Sequence, residues 1–350
     1  MRVQVNGRFM QQRVTGMQRY AREIVARLGS RVELVEPARA GHGIRGHLWE
    51  QVGLPCRLRG SLLWSPCTTG PLGVGSQVVT IHDCAFRDRA ECFTPRFAGW
   101  LQWLVPRLAR RVRQILTVSH FSKDRIAEIC RVPPEKIQVV HNGVDSRFRP
   151  ATPEEIAAVR TKFNLPENYV LSVGSLEPRK NLPRLLEAWK LVEEQLTSNQ
   201  QGQKAVSKLV LVGTTAAVFA SAKLAAPVES VVLTGYVPDE LLPALYSGAA
   251  AFVYPSLYEG FGLTVLEAMA CGTPVICSST TSLPEVAGDA AILVDPNDVA
   301  AIGQAIANLL GDEHLRSSLR ARGLARAQQF TWDRAAAETW QVLSEVGRAS

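Results

Sequence analysis

The chain has 350 residues, 46% of them hydrophobic and 20% charged, with 39 Lys+Arg against 32 Asp+Glu. That length exceeds what one ordinary core organises, so two domains are expected. No apolar run approaches eighteen residues, and the opening MRVQVNGRF alternates like a strand, so neither a membrane span nor a secretory leader is expected and the location implied is cytoplasmic. Seven cysteines, an odd number without a C-x-x-C pair, point to reduced thiols and away from disulfides or zinc.

Charge is distributed unevenly. Residues 1–150 carry 24 Lys+Arg and 11 Asp+Glu, a net +13, leaving the remainder at −6. No nucleic-acid motif accompanies this basic half and its arginines are dispersed, so nucleic acid is not the expected partner. An anionic membrane face or a phosphorylated lipid fits better.

Along the first half, strands are expected at 2–5, 32–35, 62–65, 77–82, 114–119 and 137–141. After the first, the loop 11-QQRVTGMQRYARE-23 places Gly16 ahead of a helix, and 80-TIHDCAF-86 puts His82 and Asp83 at a strand end. The stretch 96-RFAGWLQWLVPRLARRVRQ-114 sets Phe97, Trp100, Leu101, Leu104 and Leu108 on one helical face, with Trp103 near its edge. Arg107, Arg110, Arg111 and Arg113 cluster at its end, the composition of an interfacial helix, and Pro106 should kink or split it. Two more strand-to-helix junctions, 117-TVSHFSKD-124 and 141-HNGVD-145, offer Ser119, Ser122 and Asn142, with Ser122 also a plausible helix cap. Pro150, Pro153 and Pro166 then bracket a charged helical stretch where the domains should divide, giving segments 1–160 and 161–330.

The second half continues with strands at 169–174, 208–213, 231–235, 250–254, 274–278 and 291–295, and the polar run 196-LTSNQQGQKAVSK-208 is expected as a surface loop. Two strand–helix series of this kind make an α/β chain of two doubly wound, Rossmann-like sheets, whose ligands bind beyond the carboxyl ends of the strands. There, 175-SLEPRKN-181 presents Arg179 and Lys180, with Asn181 able to cap the next helix. A guanidinium fork and an ammonium suit a diphosphate and oppose charge on a departing nucleotide.

The most directive segment is 252-FVYPSLYEGFGLTVLEAMACGTPVI-276. A strand ends at Pro255, Gly260 and Gly262 flank Phe261 in a loop, and a helix runs from Leu263 and Thr264 to Cys271, closed by Gly272. Such a loop aims N–H groups and the positive end of a helix dipole at an anion. Glu259 then sits beside that anion and Glu267 about one turn into the helix, where a ribose hangs from a diphosphate. Carboxylates tolerate a phosphate nearby when they accept hydroxyl protons, and sugars supply those.

This segment resembles the E-x7-E signature of retaining glycosyltransferases of family 4, which have the two-domain GT-B fold with the domains facing a cleft. The resemblance runs over nearly the whole chain. It implies Glu259 on the donor sugar's hydroxyls, Glu267 on the ribose, His82 facing the reacting sugar, the Gly16 loop near the diphosphate and acceptor, and the base docked at Tyr236 and Val237. It also implies that the last helix, in 331–350, crosses back to the first domain. Many members carry an arginine where this chain has Ser175, which transfers that burden to Arg179. No D-x-D motif follows any strand and His and Cys lack ligand spacing, so no metal or other cofactor is expected.

The expectation is therefore a metal-independent, retaining hexosyltransferase acting in surface polysaccharide synthesis. Its donor would be a nucleotide diphosphate sugar, GDP-mannose first, by the resemblance of 174-GSLEPRKN-181 to the mannosyltransferase-like branch. Its acceptor would be a glycan, lipid-linked or soluble, reached at the inner membrane face with Asp83, Ser119 and Asn142 on the acceptor side. A nucleotide-sugar epimerase of similar fold and a non-catalytic sugar-nucleotide binder are the alternatives.

Overall fold

The computed structural model describes residues 2–38, 43–59, 62–198, 208–214 and 229–348. Two compact units make up the chain: Met1–Ala90, Pro95–Gly143 and Phe330–Ser350 form one, and Glu91–Thr94 with Val144–Gln329 the other. The second unit thus opens at Val144 and not near residue 160, because the helix Pro153–Phe163 packs on the helix Leu242–Ser247. That first helix is fixed at its start by a capping box between Thr152 and Glu155 with Pro153 at the first turn, and at its end by Asn164 in the left-handed region at φ 51°.

The first unit holds a parallel sheet of β1 (Val3–Asn6), β2 (Val32–Val35), β3 (Leu62–Ser65), β4 (Gln77–Thr80), β5 (Gln114–Thr117) and β6 (Ile137–Val139), ordered β2-β1-β3-β4-β5-β6. Val3 pairs with Val32 on one side and Leu62 on the other, so the order reverses between β1 and β3. The helix Trp332–Arg348 packs on the helix Gly16–Leu28 of this unit. Its Trp332 is buried 6.2 Å from the Tyr20 ring, and its Asp333 accepts from Arg27 at 2.6 Å.

The second unit's sheet comprises β7 (Tyr169–Val173), β8 (Lys208–Val212), β9 (Val231–Gly235), β10 (Ala251–Tyr254), β11 (Val275–Ser278) and β12 (Ala291–Val294), ordered β12-β11-β10-β7-β8-β9. Every pair is parallel. This is the doubly wound order in which two half-sheets run outward from a central pair, and the reversal lies between β7 and β10. Buried on both faces, β10 and β11 read as continuous apolar runs, as a covered parallel sheet requires.

Two expectations about helices change. Pro106 neither breaks nor splits its helix, which runs unbroken from Pro95 to Arg111. Leu101, Val105 and Leu108 pack into a core with Val79, Ile81 and Ile115. Their burial contributes about 1.5–3 kcal/mol each, more together than the roughly 3 kcal/mol a helical proline costs. The apolar face assigned to a membrane is therefore spent on the domain's own interior. In the run 196–208, residues 196–198 still belong to the helix Leu182–Ser198 and Lys208 opens β8, while 199–207 lie outside the described residues.

Candidate active site

At the reversal point of the second sheet, the ends of β7 and β10 bring four ionised side chains together. Lys180 and Arg179 lie in a 3-10 turn (Pro178–Lys180) after β7, and Glu259 lies in the loop after β10. Lys180 Nζ donates to Glu259 Oε1 at 2.6 Å, and Arg179 donates to Glu259 Oε2 at 2.9 Å and to the Tyr258 carbonyl at 3.1 Å. Arg179 also pairs with Glu177 at 2.8 Å, and Glu177 in turn accepts from the Ser175 hydroxyl at 2.6 Å. Ser175, standing where relatives of this pattern carry an arginine, thus helps hold the acid that orients Arg179.

Glu259 is nearly saturated. Its Oε1 accepts from Tyr254 at 2.9 Å and Ser256 at 2.6 Å as well as from Lys180. Burial would push this carboxyl up, but Arg179 and Lys180 hold it at about 2. Burial and Arg179 pull Lys180 down, and Glu259 and Tyr254 carry it above its ordinary value. Tyr254, hydrogen-bonded to Lys180 and lying under its ammonium at 4.8 Å, is pushed up to about 12 by burial and by Glu259. At neutral pH the cluster holds two cations against two carboxylates, and Oε2 of Glu177 is buried with no hydrogen-bond partner.

The neighbouring loop is built for close approach. Gly262 caps the helix Leu263–Ala270 at φ 115°, and a Cβ there would stand 2.6 Å from Leu283. Ser282 donates to the carbonyls of Glu259 and Phe261, both at 2.9 Å, which fixes the segment through Gly260. Leu263 and Thr264 form the helix's first turn, and Thr264 Oγ1 is buried without a partner. Glu267 projects from the second turn, 6% exposed, and accepts from Tyr246 at 3.2 Å. Gly213, at φ 144°, lets the end of β8 approach Gly174, whose carbonyl a Cβ would meet at 1.8 Å. After β9, Gly235 turns the chain at φ 69°, leaving Tyr236 63% exposed and Val237 buried.

Asn181 departs from expectation. Its side-chain amide donates to the carbonyls of Pro255 and Pro296 at 3.1 and 2.6 Å, tying β7's turn to the ends of β10 and β12 instead of capping the following helix.

In the first unit, His82 lies two residues past β4 and is buried. Its Nε2 sits 2.9 Å from the Pro66 carbonyl, so Nε2 carries the proton and Nδ1 is a bare acceptor. Burial lowers its pKa to about 4, an effect the Pro66 carbonyl only partly offsets. Asp83 accepts from the Ala85 N–H at 2.9 Å, just ahead of the next short helix. Ser119 is fully buried and caps the helix His120–Cys130 by accepting from Ser122 N–H at 3.0 Å. Ser122, expected as the cap, donates to the His82 carbonyl at 3.0 Å. Asn142 is buried with Oδ1 unpartnered. Gly16 opens its helix behind a Thr15–Gln18 capping box. His120 and His141, remote in sequence, have ring centroids 6.0 Å apart, a pairing that spacing alone concealed.

Sequence patterns did not single out Glu177, Tyr254, Ser256 or Tyr246. Tyr254 meets Lys180 from 74 positions away and Tyr246 meets Glu267 from 21, pairings that the fold brings together, while Ser256 reaches Glu259, and Glu177 reaches Ser175 and Arg179, within their own loops.

Two doubly wound units, with cations and a carboxylate gathered at a sheet's reversal point, have the architecture of GT-B glycosyltransferases, and the comparisons agree. Residues 154–326 match the family described as Glycosyl transferases group 1, and residues 60–148 match Glycosyltransferase Family 4. The O-antigen chain mannosyltransferase B of Escherichia coli is 38% identical over 272 residues, 75% of this chain and 68% of that protein. Serotype-specific mannosyltransferase WbdA of Escherichia coli is 31% identical over 225 residues, 63% of this chain but 27% of that much longer protein. A sucrose-phosphate synthase from Thermosynechococcus elongatus shares the fold at TM-score 0.74 and 19% identity, covering 100% of this chain and 99% of that one. The chain belongs to glycosyltransferase family 4.

Proposed function

We propose that the chain is a retaining mannosyltransferase that moves mannose from GDP-mannose to a lipid-linked saccharide in surface polysaccharide synthesis, on the cytoplasmic face of a membrane. The observation that carries the donor side is the convergence of Arg179, Lys180 and Glu259 at the reversal point between β7 and β10. The mannosyl and polysaccharide elements rest on the 38% identical relative.

In this reading the donor diphosphate takes the place of Glu259 on Arg179 and Lys180. Glu259, released toward the sugar, accepts its hydroxyl protons, while Tyr254 and Ser256 keep hold of one oxygen. The ammonium, the guanidinium and the first-turn N–H groups of the helix Leu263–Ala270 neutralise the leaving diphosphate, so no metal is needed. Glu267 takes the ribose hydroxyls, and Tyr236 with Val237 borders the base. Neutral His82 offers Nδ1 as an acceptor for a sugar hydroxyl. The acceptor hydroxyl attacks from the face the diphosphate leaves, and a diphosphate oxygen takes its proton, so configuration is retained.

Incubation with GDP-mannose and a lipid-linked saccharide, followed by NMR of the product's anomeric centre, tests this directly. Transfer with an α linkage from the α-configured donor supports it. Inversion, or conversion of free donor without an acceptor, overturns it.

A further inference from the structure

The segment 43–53 is folded inside out. Its inward residues are polar: Glu50, 1% exposed, accepts from Asn6 at 2.8 Å and Thr69 at 3.0 Å and pairs with Arg8 at 3.1 Å. His47 lies 3.1 Å from Arg8 and accepts from Trp100 at 3.2 Å. The outward residues are apolar: Ile44, Leu48 and Val52, four apart, are 80%, 60% and 63% exposed. A helix on a water-facing surface normally presents the reverse pattern. Here the buried ion pair clamps the segment to β1 and the loop after β3, and the apolar ridge cannot turn inward without stranding Glu50.

The ridge continues across the fold. Trp100, against His47 at 5.4 Å, stacks on Trp103 at 5.3 Å, and Trp103 is 44% exposed beneath the Arg107 guanidinium at 4.8 Å. Arg45, Arg57, Arg59, Arg96, Arg107, Arg110 and Arg111 are exposed on these two segments. Between them, 43–59 and 95–114 contain a single carboxylate, the buried Glu50. An exposed apolar ridge on segments that carry exposed arginines and no exposed carboxylate matches the interfacial zone of an anionic bilayer, which supplies phosphate outside and acyl carbon beneath.

We propose that the ridge of Ile44, Leu48 and Val52, with Trp103 beside it, inserts into the headgroup region of an anionic membrane while the surrounding arginines meet its phosphates. This builds on the peripheral membrane contact implied by a lipid-linked acceptor, and moves the main inserting surface to segment 43–53, leaving Trp103 as the contribution of the helix Pro95–Arg111, whose leucine face is buried.

The test is sedimentation of the full chain with vesicles of phosphatidylglycerol and phosphatidylethanolamine, together with quenching of tryptophan fluorescence by brominated lipids. Ile44→Ser, Leu48→Ser and Val52→Ser combined should lower vesicle binding about tenfold or more, since three inserted side chains are lost. Thermal melting should be unchanged, as none of the three is in the core. Quenching should fall in Trp103→Phe while binding remains. Binding by the triple variant equal to wild type overturns the insertion even if wild type binds through its arginines. Loss of a concentration-dependent dimer in that variant, without loss of vesicle binding, would assign the ridge to a second copy of the chain. Failure of wild type to bind vesicles at all removes both this surface and the membrane contact it builds on, and leaves the transferase chemistry to be judged by its own assay.

Discussion

Lys180 Nζ stands 2.6 Å from Glu259 Oε1, a buried ion pair between residues 79 positions apart that closes the reversal point of the second sheet. Breaking such a pair from one side leaves the other charge uncompensated. The account has the donor diphosphate exchange with Glu259 for the same ammonium. Lys180→Ala should therefore weaken donor turnover by about 2–5 kcal/mol, the range for removing one partner of a desolvated charge pair. Arg179→Ala should behave alike. Near-normal kinetics in both variants would remove the phosphate assignment.

Tyr254 touches both partners of that pair. Tyr254→Phe keeps the ring and deletes two hydrogen bonds to charged groups, a loss of about 1.5–3 kcal/mol each. The expected outcome is a roughly tenfold or greater fall in kcat with a smaller change in KM. Steady-state kinetics with varied donor would show it, and an unchanged kcat would reduce Tyr254 to packing.

The two glutamates should separate. In the proposed arrangement Glu267, bonded to Tyr246, takes the ribose hydroxyls, so Glu267→Gln should weaken binding of free GDP. Glu259→Gln should leave GDP binding nearly intact and lower the transfer rate. Equal loss of GDP affinity in calorimetry would contradict the division.

Protonation is predicted on both sides of the reaction. His82, with its pKa lowered to about 4, stays neutral from pH 5 to 8, so kcat/KM should show no acid limb attributable to it. An inflection near 6.5 that vanishes in His82→Gln would mean that the ring titrates during turnover. Glu259 has a depressed pKa, so its stabilisation of the fold is complete above its ordinary value of 4.5 and is lost as pH falls toward about 2. Denaturant unfolding at pH 6 and pH 3 should show wild type losing more stability on acidification than Glu259→Gln.

How far the sequence revealed this site depends on the kind of information each residue carries. Glu259, the glycine loop and Glu267 lie on one strand-loop-helix unit, so periodicity and turn chemistry locate them. All twelve strands among the described residues were legible from apolar runs between turn signals, with ends shifted by a residue or two. Tyr254 and Tyr246 were not legible, because each works through a partner on another element and local pattern carries no such pairing, and Glu177, two residues from Ser175 and Arg179, reads as an ordinary turn acid until its burial is seen. The helix Pro95–Arg111 shows the same limit: its apolar face was evident, but whether core or lipid covered it depends on β4 and β5. Segment 43–53 hid its ridge because Glu50 looks like a surface residue until Arg8 and Asn6 are found beside it.

Metal removal is a further check. Transfer should persist in excess EDTA, the charge on the diphosphate being met by Arg179, Lys180 and the helix start at Leu263. Abolition by EDTA with rescue by magnesium or manganese would overturn the mechanism, and the paired rings of His120 and His141 would then be the first residues to mutate.

The most direct measurement compares, by titration calorimetry, the binding of GDP, GMP and guanosine to wild type and to Lys180→Ala. If the diphosphate occupies the reversal point between β7 and β10, wild type should bind GDP far more tightly than GMP or guanosine, and the variant should lose that preference while still binding guanosine as before. Equal loss for all three ligands, or an undiminished preference for GDP, would place the diphosphate elsewhere and contradict the account.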